Sequence, residues 1–118
     1  MKFTIFLRTL LLWTALASLA GVDHAQNPHT IAMTAHRFAF EPNEITIKKG
    51  EPVILVIKSQ DVSHGLVIDD LGVRTEVKKG ESTEVRFDPE ATGTFEGKCA
   101  HFCGKGHGSM TLTVHVTE

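Results

Sequence analysis

The chain has 118 residues, room for one small domain. Lysine and arginine number 12 against 14 aspartate and glutamate, for a formal net charge of −2. That balance argues against a nucleic-acid-binding protein, which carries a basic face, and is silent about protein partners.

Residues 1–25 read as a signal peptide. Lys2 and Arg8 precede the apolar run LLLWTALASLA over residues 10–20, the order of a charged n-region followed by an h-region. Ala20 and Ala25 offer cleavage sites. The run is shorter than the ~20 residues of a spanning helix, so the expectation is export, to the periplasm or the outer face of the cell membrane, with no transmembrane anchor after cleavage. No cysteine stands just after the run, so a lipid anchor at the end of the leader has no acceptor. Removing the segment takes away Lys2, Arg8 and Asp23 and leaves a mildly acidic chain.

From residue 31 the pattern is short strands punctuated by turns. Residues 31–36 make a first strand, and 38–40 carry two phenylalanines with period 2 before the Glu41-Pro42-Asn43 turn. Residues 44–48 alternate, with Ile45 and Ile47 on one face. Residues 53–58, VILVIK, are β-branched and apolar on both faces, which predicts a central, covered strand. A polar loop over 59–63 leads to strand 64–68, then a turn over 69–72. Strands follow at 73–77, 82–87 and 94–98. The last strand, 110–116, points Met110, Leu112, Val114 and Val116 inward and Thr111, Thr113 and His115 outward. The motif KKGE recurs at 48–51 and 78–81 as two similar tight turns. No stretch after the leader has a 3.6-residue stripe. The expectation is an all-β, antiparallel sandwich or small barrel.

Residues 99–110, CAHFCGKGHGSM, concentrate the chemistry. Cys99 and Cys103 are the chain's two cysteines, and His107 and Met110 follow at short spacing. Thiolate, imidazole and thioether are the ligands copper selects. Interleaved Gly104, Gly106 and Gly108 let the backbone turn tightly. His64, at the junction of a polar loop and a strand, is the candidate for the missing ligand, because a two-sheet domain gathers such loops at one end. A mononuclear blue-copper site uses one cysteine. Here a second thiolate allows both sulfurs to bridge two coppers, capped by His64 and His107, with Met110 and a loop carbonyl as weak outer ligands. In an exported protein a Cys99–Cys103 disulfide is the plain alternative, and a zinc site from His64, Cys99, Cys103 and His107 is another. Met33 and His36 form a weaker candidate pair for an accessory copper.

Asp61-Val62-Ser63-His64, followed by Cys99-Ala100-His101-Phe102-Cys103-Gly104-x-x-His107-x-x-Met110, resembles the copper A (CuA) domain of cytochrome c oxidase subunit II. The resemblance runs over residues 31–118 and implies a cupredoxin-like Greek-key β-sandwich or barrel of about seven to nine strands. It implies His64, Cys99, Cys103, His107 and Met110 as side-chain ligands of two coppers, the carbonyl of His101 as a backbone ligand, and Asp61 steadying the His64 loop. The chain departs from the family at His101, where the family has a glutamate that helps hold magnesium against the catalytic subunit; the carbonyl ligand survives this change, and His101 adds an imidazole. The family's aromatic segment and paired membrane helices also have no counterpart here. The expectation is a free-standing electron carrier, not an enzyme. It takes electrons from a donor such as a c-type cytochrome and passes them to a membrane respiratory complex such as a terminal oxidase. A copper carrier or buffer of the cell envelope is the alternative.

Overall fold

The computed structural model describes residues 27–100 and 105–118, and only the backbone of His107. Nine strands are described: β1 (His29–His36), β2 (Ala39–Glu41), β3 (Glu44–Lys48), β4 (Val53–Ser59), β5 (His64–Ile68), β6 (Val73–Val77), β7 (Ser82–Phe87), β8 (Gly93–Lys98) and β9 (Thr111–Thr117). Short 3-10 turns cover Asp69–Leu71 and His107–Ser109. The first of these ends at Gly72, whose φ of 67° takes the left-handed conformation that glycine adopts without a Cβ penalty. Among the described residues, no helix is long and apolar enough to cross a membrane.

The strands form two sheets, ordered β2-β1-β4-β7 and β3-β9-β8-β5-β6. Period-2 alternation supplies the core between them. Ile45 and Ile47 point inward from β3, Leu112, Val114 and Val116 from β9, and Leu55 and Ile57 from β4. β4 lies between β1 and β7, as its two-sided apolarity predicts. Each fully buried Leu, Ile or Phe side chain contributes on the order of 1.5–3 kcal/mol of transfer free energy.

One expectation is corrected. The sheets are mixed rather than antiparallel, because β1 runs parallel to β4 and β3 runs parallel to β9. Between β1 and β4 the chain crosses to the other sheet as β3, and so re-enters the first sheet in its original direction. The minor reading of Met33 and His36 as an accessory copper pair is not supported. Met33 is buried in the core, whereas His36, on the opposite face of β1, pairs with Glu41 at 3.1 Å.

The two KKGE turns fall at opposite ends. Lys49 N–H donates to the carbonyl of Thr117, at the end of β9 remote from the cysteine loop, at 2.8 Å. Lys79 N–H donates to Ser63 Oγ at 3.3 Å, beside His64.

Candidate metal centre

β5 begins at His64, so this residue sits where the 59–63 loop enters the five-stranded sheet. The loop is built by its own polar side chains. Ser59 Oγ donates to the carbonyl of Val62 and accepts from Asp61 N–H at 3.3 Å. Asp61 then acts as the hub. Its Oδ1 accepts from Val62 N–H at 2.6 Å and lies 2.7 Å from His64 Nε2, while its Oδ2 accepts from Arg37 N–H at 2.7 Å. Burial pushes the Asp61 carboxyl up, but the Arg37 N–H, the His64 ring and the Val62 N–H outweigh it and lower the pKa to about 2.

An ionised Asp61 only accepts, so Nε2 of His64 carries the proton it shares with Oδ1. In the neutral ring this leaves the lone pair on Nδ1. His64 is fully buried, and its Nδ1 is a buried polar atom with no hydrogen-bond partner among the described residues. An unmet buried acceptor costs about 1–3 kcal/mol, and a metal ion is one partner that satisfies it. Fixing the tautomer of a ligand histidine through a carboxylate on its other nitrogen is a recurrent device of metal sites.

The cysteine loop arrives at the same end. β8 and β9 pair antiparallel up to Lys98 opposite Thr111. One further bond, Cys99 N–H to the Met110 carbonyl at 3.1 Å, carries the ladder into the loop. Ala100 N–H donates to the carbonyl of Gly65 at 3.4 Å, so the residue after Cys99 is tied to the residue after His64. Cys99 and Met110 are both buried. Met110 stands in register with the inward face of β9, as its spacing predicts. On the outgoing side, Ser109 bonds back to the Gly106 carbonyl through both its N–H (3.1 Å) and its hydroxyl (2.8 Å).

The structure thus brings His64, Cys99 and Met110 to one end of the sandwich. His101 and Cys103 lie outside the described residues, as does the side chain of His107. Among the described residues no three His, Cys, Asp or Glu side chains form a metal-holding group. His64 Nδ1 and the sulfurs of Cys99 and Met110 nevertheless fit copper as a donor set.

Two contributors carry no mark in the local sequence. Arg37 reaches the site through its backbone N–H, and Phe38 lies against the loop so closely that a Cβ on Gly106 would stand 2.4 Å from its ring. Their one legible signal is position, at the corner between two predicted strands.

A profile of the family described as "Cupredoxin-like domain" matches residues 7–113. Two curated relatives, both cytochrome c oxidase subunit 2 from Thermus thermophilus, are each 32% identical over 99 residues, 84% of this chain. The shared stretch spans 73% of one relative and 59% of the other. Among solved structures, the periplasmic domain of subunit II of cytochrome oxidase (CoxB) of Bradyrhizobium japonicum aligns with a TM-score of 0.72 at 22% identity, over 79% of this chain and 86% of that one. Auracyanin A, a blue copper protein of Chloroflexus aurantiacus, aligns with a TM-score of 0.63 at 17% identity, over 77% of this chain and 100% of that one. At these identities the structural likeness establishes the fold, and the sequence match goes further: the chain belongs to the cupredoxin-like domain family, in the group that includes cytochrome c oxidase subunit 2.

Proposed function

We propose that the chain is an exported copper-binding electron-transfer protein. His64, Cys99, Cys103, His107, Met110 and the carbonyl of His101 hold two copper ions in a CuA-type centre. The observation that carries the reading is His64 Nδ1, buried, without a hydrogen-bond partner, and left with its lone pair by the proton that Asp61 fixes on Nε2. Copper, when bound, supplies one-electron redox chemistry. The chain's own residues hold the donors still: Asp61 orients the His64 ring, and the Cys99–Met110 backbone bond closes the neck of the loop. Burial of His64, Cys99 and Met110 keeps water from the donor atoms, which limits the rearrangement that accompanies a change of charge.

The count of two coppers rests on the second thiolate, Cys103. Burial of His64 favours an electron carrier over a copper shuttle, since a shuttle needs an exposed, exchangeable ligand. The names of the relatives, oxidase subunits and a blue copper protein, support copper and electron transfer as the function class. On this reading the leader, residues 1–25, is cleaved after Ala20 or Ala25. The donor is a protein such as a c-type cytochrome, and the acceptor a membrane respiratory complex. Copper titration of the purified chain, followed by thiolate-to-copper absorption, tests the reading. His64→Ala should weaken uptake with the β-sheet circular dichroism intact, and undiminished affinity in that variant overturns it.

A further inference from the structure

The net charge is small, but the fold sorts the charges by end. At the end that holds His64 and the cysteine loop, the described connecting segments carry Arg37, Lys78, Lys79 and Lys105 against Asp61 and Glu81, and all four cations are exposed. Lys58 and Lys98, where β4 and β8 finish, add two more exposed cations, against exposed Glu41 at the end of β2, which pairs with His36, and exposed Glu76 opposite Gly65, so cations still outnumber carboxylates at this end. Asp61 is turned inward onto Arg37 N–H, Val62 N–H and His64. Among the described residues Lys58, Lys78, Lys79 and Lys105 join none of the ion pairs; Lys98 pairs with Glu96. At the opposite end the connecting segments carry Glu51, Asp69, Asp70, Asp88, Glu90 and the terminal Glu118 against Lys49, with Lys48 at the end of β3 and Arg74 paired with Asp69 as the neighbouring strand cations. Asp70, Asp88 and Glu90 line a cleft of about 430 Å³ there.

The exposed large apolar side chain of the described core strands and turns, Phe38, is on the cationic end, against Gly106 of the loop. An apolar spot rimmed by charge is the anatomy of a transient protein interface. Charge of one sign on one face steers the encounter and fixes the orientation of a partner of the other sign.

We propose that the end carrying His64 and the cysteine loop is a docking face for a redox protein that presents carboxylates around its own exposed redox centre. The identity of the partner as a redox protein rests on the function proposed above; the sign of its charge rests on the placement of these lysines. A redox partner has to approach the end of the molecule nearest the donor cluster, and a basic partner would be repelled there and drawn to the acidic far end.

The two KKGE turns give a matched test. K78E/K79E and K48E/K49E make the same change in total charge, the first at the cationic end and the second at the far end. Amide NMR spectra of the full chain are recorded during titration with an acidic c-type cytochrome, with a basic one, and with phosphatidylglycerol vesicles, each at low salt and near 0.15 M. The expected result is shifts centred on Arg37, Phe38, Lys79 and Lys105 with the acidic cytochrome, fading with salt. K78E/K79E should weaken that binding by roughly tenfold or more, and K48E/K49E should not weaken it. The proposal is overturned by stronger binding of the basic cytochrome at this end, by shifts at this end with vesicles alone, by equal effects of the two double variants, or by binding of neither cytochrome. Failure to take up copper would sink the function proposed above and would leave these shift maps readable.

Discussion

The N–H of Cys99 donates to the carbonyl of Met110 at 3.1 Å, so the first and last of the proposed loop ligands face each other across its neck. The β8–β9 ladder therefore holds the Cys99 and Met110 backbones side by side at the neck of the loop. Met110 is also core, in line with Leu112, Val114 and Val116.

Those two roles of Met110 separate under Met110→Leu. The swap conserves volume and apolarity, so the metal-free domain should lose less than about 1.5 kcal/mol in denaturant unfolding. Copper affinity and the visible spectrum of the loaded protein should change, because the thioether is gone. An unchanged spectrum would make Met110 a core residue alone.

Gly106 and Phe38 should behave as a coupled pair. A Cβ at Gly106 would press on the Phe38 ring at 2.4 Å, and overpacking of this kind costs about 1–3 kcal/mol. Gly106→Ala should destabilise the chain and perturb its copper spectrum, and Phe38→Ala should recover part of both. A double-mutant cycle in urea should give a coupling of about 0.5–3 kcal/mol. Strict additivity would mean that Phe38 does not hold the loop.

How much of this was legible depended on the kind of information involved. Alternation marks which face a residue takes, so strands at 44–48, 73–77 and 82–87 stand where the sequence predicts them, and the flanking polar loop and turn place 64–68. Alternation does not encode the neighbour or its direction, so the parallel β1–β4 and β3–β9 pairings were not readable. The resemblance carried by Asp61-Val62-Ser63-His64 implied that pair, whereas Arg37 reaches Asp61 only through the tertiary fold. Likewise, the opposite placement of the two KKGE turns follows from topology and not from their identical sequences.

His36 provides a pH prediction away from the donor cluster. Its Nδ1 lies 3.1 Å from the carbonyl of Arg37 and its Nε2 lies 3.1 Å from Glu41 Oε1. The Arg37 carbonyl, then Glu41, hold the proton on the ring and raise its pKa above the ordinary 6.5. The stabilisation this gives is complete below pH 6.5 and is lost as pH rises through the raised value. Ring NMR titration should place the His36 midpoint above 6.5, and Glu41→Gln should move it down without cancelling the contribution of the Arg37 carbonyl. A native midpoint at or below 6.5 would contradict the bond pattern.

The core should respond conventionally. Leu55, fully buried on central β4, should cost about 2–5 kcal/mol on truncation to alanine. Urea unfolding of the metal-free chain measures it. A loss well under 1 kcal/mol would mean that the two sheets close over the gap or that the core is less tightly packed than its burial indicates.

On the proposed function, Cys99 and Cys103 would together hold two coppers. Metal analysis of the copper-loaded chain, with its EPR spectrum, tests it most directly. The prediction is two coppers per chain and one unpaired electron spread equally over both, lost in Cys99→Ser and Cys103→Ser and retained in His101→Ala, where only the carbonyl is needed. One copper per chain with the hyperfine pattern of a single ion, or preferential retention of spectroscopically silent zinc, would contradict it.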